Sequence, residues 1–86
     1  MDPYTVIHYP LMTEATSRIL ETENKLVFIV DMKATKADIK KAVEMLYDVR
    51  VSKVNVAITF KGKKKAFVKL HPENNATDVA IKLGIL

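Results

Sequence analysis

The spacing of hydrophobic and polar residues divides this chain into strands and helices. Residues 51–60 and 64–71 alternate apolar and polar side chains, which predicts strands with one buried face. Residues 25–31 hold five consecutive apolar residues, which is typical of a central strand buried on both faces. A fourth strand is expected over residues 4–9, because Pro10 cannot donate a hydrogen bond to a sheet and should end it.

The clearest helix is predicted from residue 36 to about residue 48. Its apolar stripe consists of Ile39, Ala42, Val43, Leu46 and Tyr47. Just before and inside its first turn, Thr35 and Asp38 resemble a capping box, in which each side chain bonds to the backbone amide of the other. The sequence therefore marks both the start of this helix and its buried face.

Two shorter helices complete the pattern. One is expected over residues 14–22 behind an N-cap at Thr13, with Glu14 favoured at its positive end. Its partial apolar stripe consists of Ala15, Ile19 and Leu20. The other should begin after an N-cap at Asn75 and stop at Gly84. Its stripe consists of Val79, Ala80 and Leu83.

The order of elements is therefore β-α-β-α-β-β-α, in one domain covering residues 1–86, which is long enough for a single core. This order predicts an α+β fold, with helices packed on a four-stranded, mostly antiparallel sheet. Lys61-Gly62-Lys63 separates the last two strands at the length of a hairpin loop.

Composition narrows the class of protein. Hydrophobic residues make up 49% of the chain, which argues against disorder. No apolar run approaches the roughly 20 residues of a membrane span, so no membrane insertion is expected. The N-terminus has no signal-peptide pattern, and the lack of cysteine fits a reducing cytosol. The net charge of +4 favours an anionic partner, of which nucleic acid is the commonest.

The densest positive charge lies at the predicted hairpin. Lys61, Lys63, Lys64 and Lys65 surround Gly62 without any acidic residue among them. One interpretation is a solvated turn whose lysines discourage aggregation at a sheet edge. The other is an anion site, because crowded like charges repel one another and a bound anion relieves the repulsion. Phosphate suits lysine, which acts as a point charge.

The polar sides of the two alternating strands extend this charged surface. If the strands pair, one face carries Lys53, Asn55, Thr59, Lys65, Lys69 and His71. Phe67 belongs to the same set, and it could either stack on a nucleic-acid base or lie under a helix. A reader of single-stranded RNA that stacks bases on several strand aromatics is a weaker alternative, since this set contains one aromatic residue.

Catalytic chemistry has no candidate residues here. His8 and His71 are the only histidines, and they lie in different elements without a carboxylate or cysteine at ligand spacing. The chain contains no Gly-rich phosphate loop and no nucleophile elbow. We expect neither an enzyme nor a metal or cofactor site.

Three segments carry a resemblance to a known family. "PLMTEATSR" (10–18), "NKLVFIVDMKATKADIKKAVEMLYDVRVSKVN" (24–55) and "KGKKKAFVKLHPENNATDVA" (61–80) together resemble the large-subunit ribosomal protein twenty-three family over nearly the whole chain. The segment "ATKADIKKAV" leading into V-x-K-V-N is the most recognisable block. The resemblance implies a structural protein that binds large-subunit (23S-type) rRNA in the cytoplasmic ribosome, at the rim of the polypeptide exit tunnel.

The resemblance also implies partners and site residues. The partners would be rRNA, neighbouring large-subunit ribosomal proteins at the exit tunnel, and signal recognition particle or other nascent-chain factors. The residues expected to contact rRNA are Lys36, Lys40, Lys53, Lys61, Gly62, Lys63, Lys64, Lys65, Phe67 and Lys69. Those expected at the docking surface for factors are Thr13, Glu14 and Arg18. Glu14 has no lysine three or four residues away, so we expect its carboxylate to be left free for a basic factor.

The chain departs from the family pattern at three places. Ala15 stands where many members have lysine, and Val54-Asn55-Val56 stands where many read V-N-T. The loop between the last two strands is short, as in the archaeal type, so no loop that invades the tunnel is expected. A second hypothesis is a free-standing regulatory or partner-binding α+β domain, in which the lysines only aid solubility.

Overall fold

The fold is a single antiparallel sheet with helices packed against it. The computed structural model describes residues 1–85, so Leu86, the last residue of the expected domain, lies outside the described residues. The elements are α1 (Pro3–Val6), β1 (Ile7–Pro10), α2 (Glu14–Glu23), β2 (Lys25–Val30), α3 (Lys36–Tyr47), β3 (Val51–Ile58), β4 (Lys64–Leu70) and α4 (Ala76–Lys82). The strands lie in the order β1-β2-β4-β3. The predicted α+β class and element order are confirmed, with one short helix added at the start.

The N-terminal strand is shorter than predicted. Residues 3–6 form one helical turn, and β1 begins only at Ile7. The Asp2 side chain accepts the backbone N–H of Tyr4 at 2.9 Å, and Pro3 occupies the first helical position. An N-cap aspartate followed by proline is a signal for the start of a helix, and here it overrides the assignment of residues 4–6 to a strand.

The core lies between the helices and one face of the sheet. The buried side chains of α3 are Ile39, Ala42 and Val43. They belong to one cluster with alternate residues of β2 and β4, namely Leu26, Phe28, Val30, Ala66, Val68 and Leu70. The ring of Phe28 stacks on that of Tyr47 with centroids 5.7 Å apart, and burial raises the pKa of the Tyr47 hydroxyl. Every buried apolar side chain of the described helices belongs to this cluster, so the molecule has two layers.

The start of α3 forms as predicted. The Thr35 hydroxyl accepts the Asp38 backbone N–H at 3.1 Å, and the Asp38 carboxylate accepts that of Thr35 at 2.9 Å. These hydrogen bonds from Thr35, the backbone one first, hold the pKa of Asp38 below its usual range. Aspartate therefore replaces the usual glutamate of a capping box without losing either bond.

The buried face of α2 differs from the predicted stripe. Ala15 is exposed, whereas Thr16 is buried together with Leu20 one turn later. The Thr16 hydroxyl accepts the Thr13 backbone N–H at 2.7 Å and donates to the Leu11 carbonyl oxygen at 3.1 Å. A buried threonine is tolerated because its hydroxyl is hydrogen-bonded. Thr16 is therefore the buried residue in the first turn of α2, where we had expected Ala15.

Both long strands end earlier than predicted. β3 ends at Ile58 instead of residue 60, and β4 ends at Leu70 instead of residue 71. Near its start β3 has a register shift between Val51 and Lys53. The extra residue lets Val51 and Val54 both face the core, although they are three positions apart.

The C-terminal helix follows the prediction. The Asn75 side chain caps α4 by accepting the Thr77 backbone N–H at 2.8 Å, and Gly84 has a positive φ of 74°. The position of α4 depends on Asn24, which the sequence did not single out. Its amide donates to the Asn74 carbonyl oxygen at 2.8 Å and accepts the Ala76 backbone N–H at 2.7 Å.

Two variants of α3 test the layer arrangement. Ile39→Ala should lower the free energy of unfolding by about 2–5 kcal/mol, because the side chain is fully buried. Met45→Ala should cost less than about 0.5 kcal/mol, because Met45 is 70% exposed on the same helix. Denaturant melts measure both, and equal losses would mean that α3 presents another face to the sheet.

Candidate nucleic-acid interface

The pairing of β4 divides the site residues between two faces of the sheet. Ala66, Val68 and Leu70 point into the core, so the residues between them point to the opposite face. This uncovered face includes Lys53, Asn55 and Ala57 of β3; Lys65, Phe67 and Lys69 of β4; and Lys25, Val27 and Ile29 of β2. None of these residues belongs to the core cluster that the helices join.

Three lysines form a row across the uncovered face. Lys69 of β4 pairs with Lys53 on one side and with Lys25 on the other. Directly opposed side chains in antiparallel strands lie about 4.5–5.5 Å apart at Cβ, where like charges destabilise the sheet. The Lys25 ammonium lies 3.1 Å from the Glu23 carboxylate. Within residues 1–85, Lys53 and Lys69 form no ion pair, so this row presents unneutralised positive charge.

Phe67 lies in the next row, between Asn55 and Val27. It is half-buried and on the face away from the helices, so the interpretation that it lies under a helix is wrong. Val27 and Ile29 are buried on this face, as the prediction of a central strand buried on both sides required. The ring of Phe67 therefore lies beside apolar side chains of β2, and lysines of the uncovered face lie on either side of it along β4.

The hairpin loop is shifted by one residue from its predicted position. The Thr59 N–H donates to the Lys63 carbonyl oxygen at 2.8 Å, so these residues close a loop of Phe60, Lys61 and Gly62. Gly62 has a φ of 77°, the left-handed conformation that ends many three-residue hairpin loops. We had expected the loop at Lys61–Lys63. The need for glycine at the last loop position was the signal that could have fixed the register from the sequence.

The four hairpin lysines do not form one patch. The Lys64 ammonium turns to the helix side and donates to the Ala34 carbonyl oxygen at 2.6 Å. The Lys63 ammonium donates to the Tyr9 hydroxyl at 2.9 Å and lies 5.5 Å from the centre of that ring. In the part of the chain that the structure describes, Lys61 and Lys65 have no side-chain partner. Two lysines thus anchor the hairpin to β1 and to the start of α3, and two remain for a ligand.

The predicted contacts of α3 lie apart from the uncovered face. Lys36 and Lys40 are exposed on the helix layer, on the other side of the sheet from Lys65 and Lys69. Lys36 begins α3 two residues after Ala34, so the Lys64 contact brings it to the hairpin end of the molecule. These two lysines could therefore contact RNA only at a second surface, separate from the uncovered face.

The N-terminal turn of α2 holds the residues predicted for factor docking. Thr13 caps the helix, since its hydroxyl accepts the Thr16 backbone N–H at 3.2 Å. Glu14 is not left free, as we had expected, because the Arg18 guanidinium lies 3.8 Å from its carboxylate at the i,i+4 spacing. Arginine pairs with a glutamate at this spacing as lysine does. The Glu14 and Arg18 side chains are 93% and 72% exposed, so the pair is solvated and weak.

Each histidine lies near one carboxylate, and His71 shares the Glu73 carboxylate with Arg50. The nearest carboxylate oxygens, those of Asp31 and Glu73, lie 3.7 Å from His8 and from His71 respectively. Among residues 1–85, no three histidine, cysteine or acidic side chains converge on a point that could hold a metal ion. The described helices also include none that is long and apolar enough to cross a membrane.

Comparisons with known proteins give a consistent result. A model of the family described as ribosomal protein L23 matches residues 5–81. A Methanococcus aeolicus protein named large ribosomal subunit protein uL23 is 53% identical over 85 residues, which cover 99% of each chain. A protein of the same name from Methanococcus maripaludis strain C5 is 51% identical over 85 residues, again 99% of each chain.

The lysine row predicts an unusual effect on stability. Lys69→Gln should raise the free energy of unfolding of the isolated protein by a few tenths to about 1 kcal/mol at low salt, because it removes the central charge of the row. The gain should shrink in about 1 M salt, which screens exposed charges. Lys41→Gln, an exposed change on α3, is the control for net charge. Denaturant melts at two salt concentrations measure both variants, and a Lys69→Gln protein less stable than wild type at low salt would contradict the repulsion.

Proposed function

The chain belongs to the ribosomal protein L23 family, and on that premise we propose that its uncovered face and hairpin bind large-subunit rRNA. Membership makes it a protein of the large ribosomal subunit, a structural component of the translation machinery on the cytoplasmic ribosome and not an enzyme. Residues 1–86 form one rRNA-binding domain in this proposal. The alternative of a free-standing regulatory domain has no support from these relatives.

The observation that carries the proposal is the row of lysines on a face without helices. Lys53 and Lys69 face one another without a carboxylate, and Lys65 lies on the same face toward the hairpin. Such an arrangement costs stability in the isolated protein, whereas a phosphate backbone neutralises it. Lysine contacts position an RNA without reading its sequence, and Phe67 at the centre offers a ring to a base.

The hairpin contributes in two ways. Lys61 is exposed at the loop and available to phosphate, and Gly62 allows the backbone a close approach because it has no side chain. Lys63 and Lys64 mainly hold the hairpin in place through Tyr9 and Ala34. A hairpin fixed in this way binds with little ordering cost. Lys36 and Lys40 serve a second, peripheral RNA contact.

We propose the rim of the polypeptide exit tunnel as the location, with other large-subunit proteins beside it. This proposal rests on the family resemblance. Because the hairpin loop has only three residues, it cannot extend far from the domain into the tunnel. The two Methanococcus relatives match over 99% of their own length, which leaves no room in them for a long insertion.

The start of α2 is the proposed docking surface for signal recognition particle or another nascent-chain factor. Thr13 has a local role as the helix cap, so its contribution to docking is indirect. Glu14 projects almost fully into solvent, and its weak pair with Arg18 leaves the carboxylate accessible to a basic partner. Exposed charges at the rim of an interface act mainly on the rate of encounter.

Salt dependence of RNA binding tests the uncovered face. Replacing Lys65 and Lys69 together by glutamine should lower the slope of log affinity against log salt by about 1.5, at roughly 0.7–0.9 for each lost phosphate contact. The matched control replaces Lys41 and Lys82, two exposed helix lysines, and changes the net charge equally. Binding to a large-subunit rRNA fragment is measured across a salt series. Equal slopes for the two double variants would rule out this face as the RNA site.

Charge reversal at α2 tests factor docking. Ribosomes carrying Glu14→Lys should bind purified signal recognition particle with a slower on-rate, most clearly at low salt, while the protein still assembles into subunits. Asp78→Lys is the matched control, because Asp78 is also an exposed carboxylate in the first turn of a helix. That helix, α4, begins beside Asn24 at the C-terminal end of α2, whereas Glu14 lies at the N-terminal end. If both variants bind at the wild-type rate, Glu14 has only its local role in the helix.

A further inference from the structure

Phe60 is the most exposed large hydrophobic residue among residues 1–85. It is 97% exposed, although it is the next residue in the apolar phase of β3, the alternating positions 54, 56, 58 and 60. Along that phase the exposed fraction rises from 8% at Val54 to 57% at Ile58. The hairpin therefore projects beyond the helical layer, and Phe60 lies at its end with no contribution to the core.

The loop holds Phe60 in a defined position. Thr59 forms three hydrogen bonds across the loop: its N–H donates to the Lys63 carbonyl oxygen at 2.8 Å, its carbonyl oxygen accepts the Gly62 N–H at 3.0 Å, and its hydroxyl accepts the Lys63 N–H at 3.1 Å. The Lys63 and Lys64 side chains then tie the hairpin to Tyr9 and to Ala34. An aromatic side chain with two rotatable bonds on such a loop loses little entropy when it binds.

The surroundings of this ring indicate the chemistry of its partner. Lys61 follows Phe60 directly and is exposed, and residues 59–65 contain no acidic side chain. The central parts of protein interfaces are depleted in lysine, so an apolar pocket of another protein fits this environment poorly. A polyanion with flat apolar groups fits both features, because its phosphates meet the lysines while a base covers the ring.

We propose that Phe60 stacks on an unpaired base of large-subunit rRNA and so anchors the hairpin by a contact that does not depend on salt. This inference rests on the proposed rRNA binding and adds to it a residue that recognises a nucleotide. The lysines supply attraction to any phosphate backbone. Phe60 restricts the hairpin to places where a base is splayed out of its helix, since only an unstacked base offers a free face.

Substitution of Phe60 separates stacking from charge. Phe60→Ala should weaken binding of a large-subunit rRNA fragment about 5- to 150-fold, the loss of one stacked base, with an unchanged salt slope. Phe60→Leu keeps an apolar side chain without a π face and should lose most of the same affinity, whereas Phe60→Tyr should retain it. All three variants should melt at the wild-type temperature, because the side chain is almost fully exposed. Tyr4→Ala removes another exposed aromatic side chain, 80% exposed in α1, and should leave affinity unchanged.

Fluorescence gives a direct readout of stacking. The chain contains no tryptophan, so Phe60→Trp introduces a single fluorophore. Its emission should be quenched when the rRNA fragment binds, because an indole stacked on a base loses fluorescence. Tyr4→Trp places the same fluorophore at the exposed control position, and its emission should not change.

The outcomes distinguish this inference from the proposed function. If the wild-type protein binds no large-subunit rRNA fragment, the proposed function fails. If the wild type binds with a strong salt dependence while Phe60→Ala binds equally well and Phe60→Trp stays unquenched, only the stacking role is overturned. A loss in Phe60→Leu that is most of that in Phe60→Ala, together with full retention in Phe60→Tyr and quenching in Phe60→Trp, would support it.

Discussion

The double pairing of β4 is the constraint on which the rest of the molecule depends. β4 lies between β2 and β3, and its register fixes both faces of the sheet at once. Val68 meets Leu26 and Val54 in the core, while its neighbour Lys69 meets Lys25 and Lys53 on the uncovered face. A slip of one residue would exchange the two faces. Burial of apolar side chains thus holds the lysine row together against its own repulsion.

The two-layer arrangement explains how so small a chain can combine a core with the surface that we propose binds RNA. The buried apolar residues of all described helices pack against one face, so the other is left without a helical layer. That face gains rigidity from the sheet, so only its lysine side chains have to be ordered when they meet a phosphate backbone. The hairpin extends this surface past the core, where Lys61 and Phe60 cost the fold little.

Local signals predicted most of the elements, and they failed where two signals competed. The caps at Thr35 and Asn75 and the stop at Gly84 formed as expected, because capping depends on a few neighbouring residues. Residues 4–6 were assigned to a strand that was expected to run to residue 9, although Asp2 and a following proline start a helix there. The expected family is confirmed by the family model and the Methanococcus relatives, since the resemblance rested on long segments of sequence.

The sequence by itself determined the fold class, the alternating faces of β3 and β4, and the excess of lysine near the hairpin, because these follow from periodicity and composition. Only the tertiary structure decided which lysines share a surface. Lys25 belongs to the lysine row because it pairs with Lys69, which lies 44 residues later in the chain. Lys64 points away from the other hairpin lysines, because its ammonium donates to the Ala34 carbonyl oxygen. Side-chain alternation is a local property of the backbone, whereas the partner of a strand and the direction of a long side chain depend on contacts between distant segments.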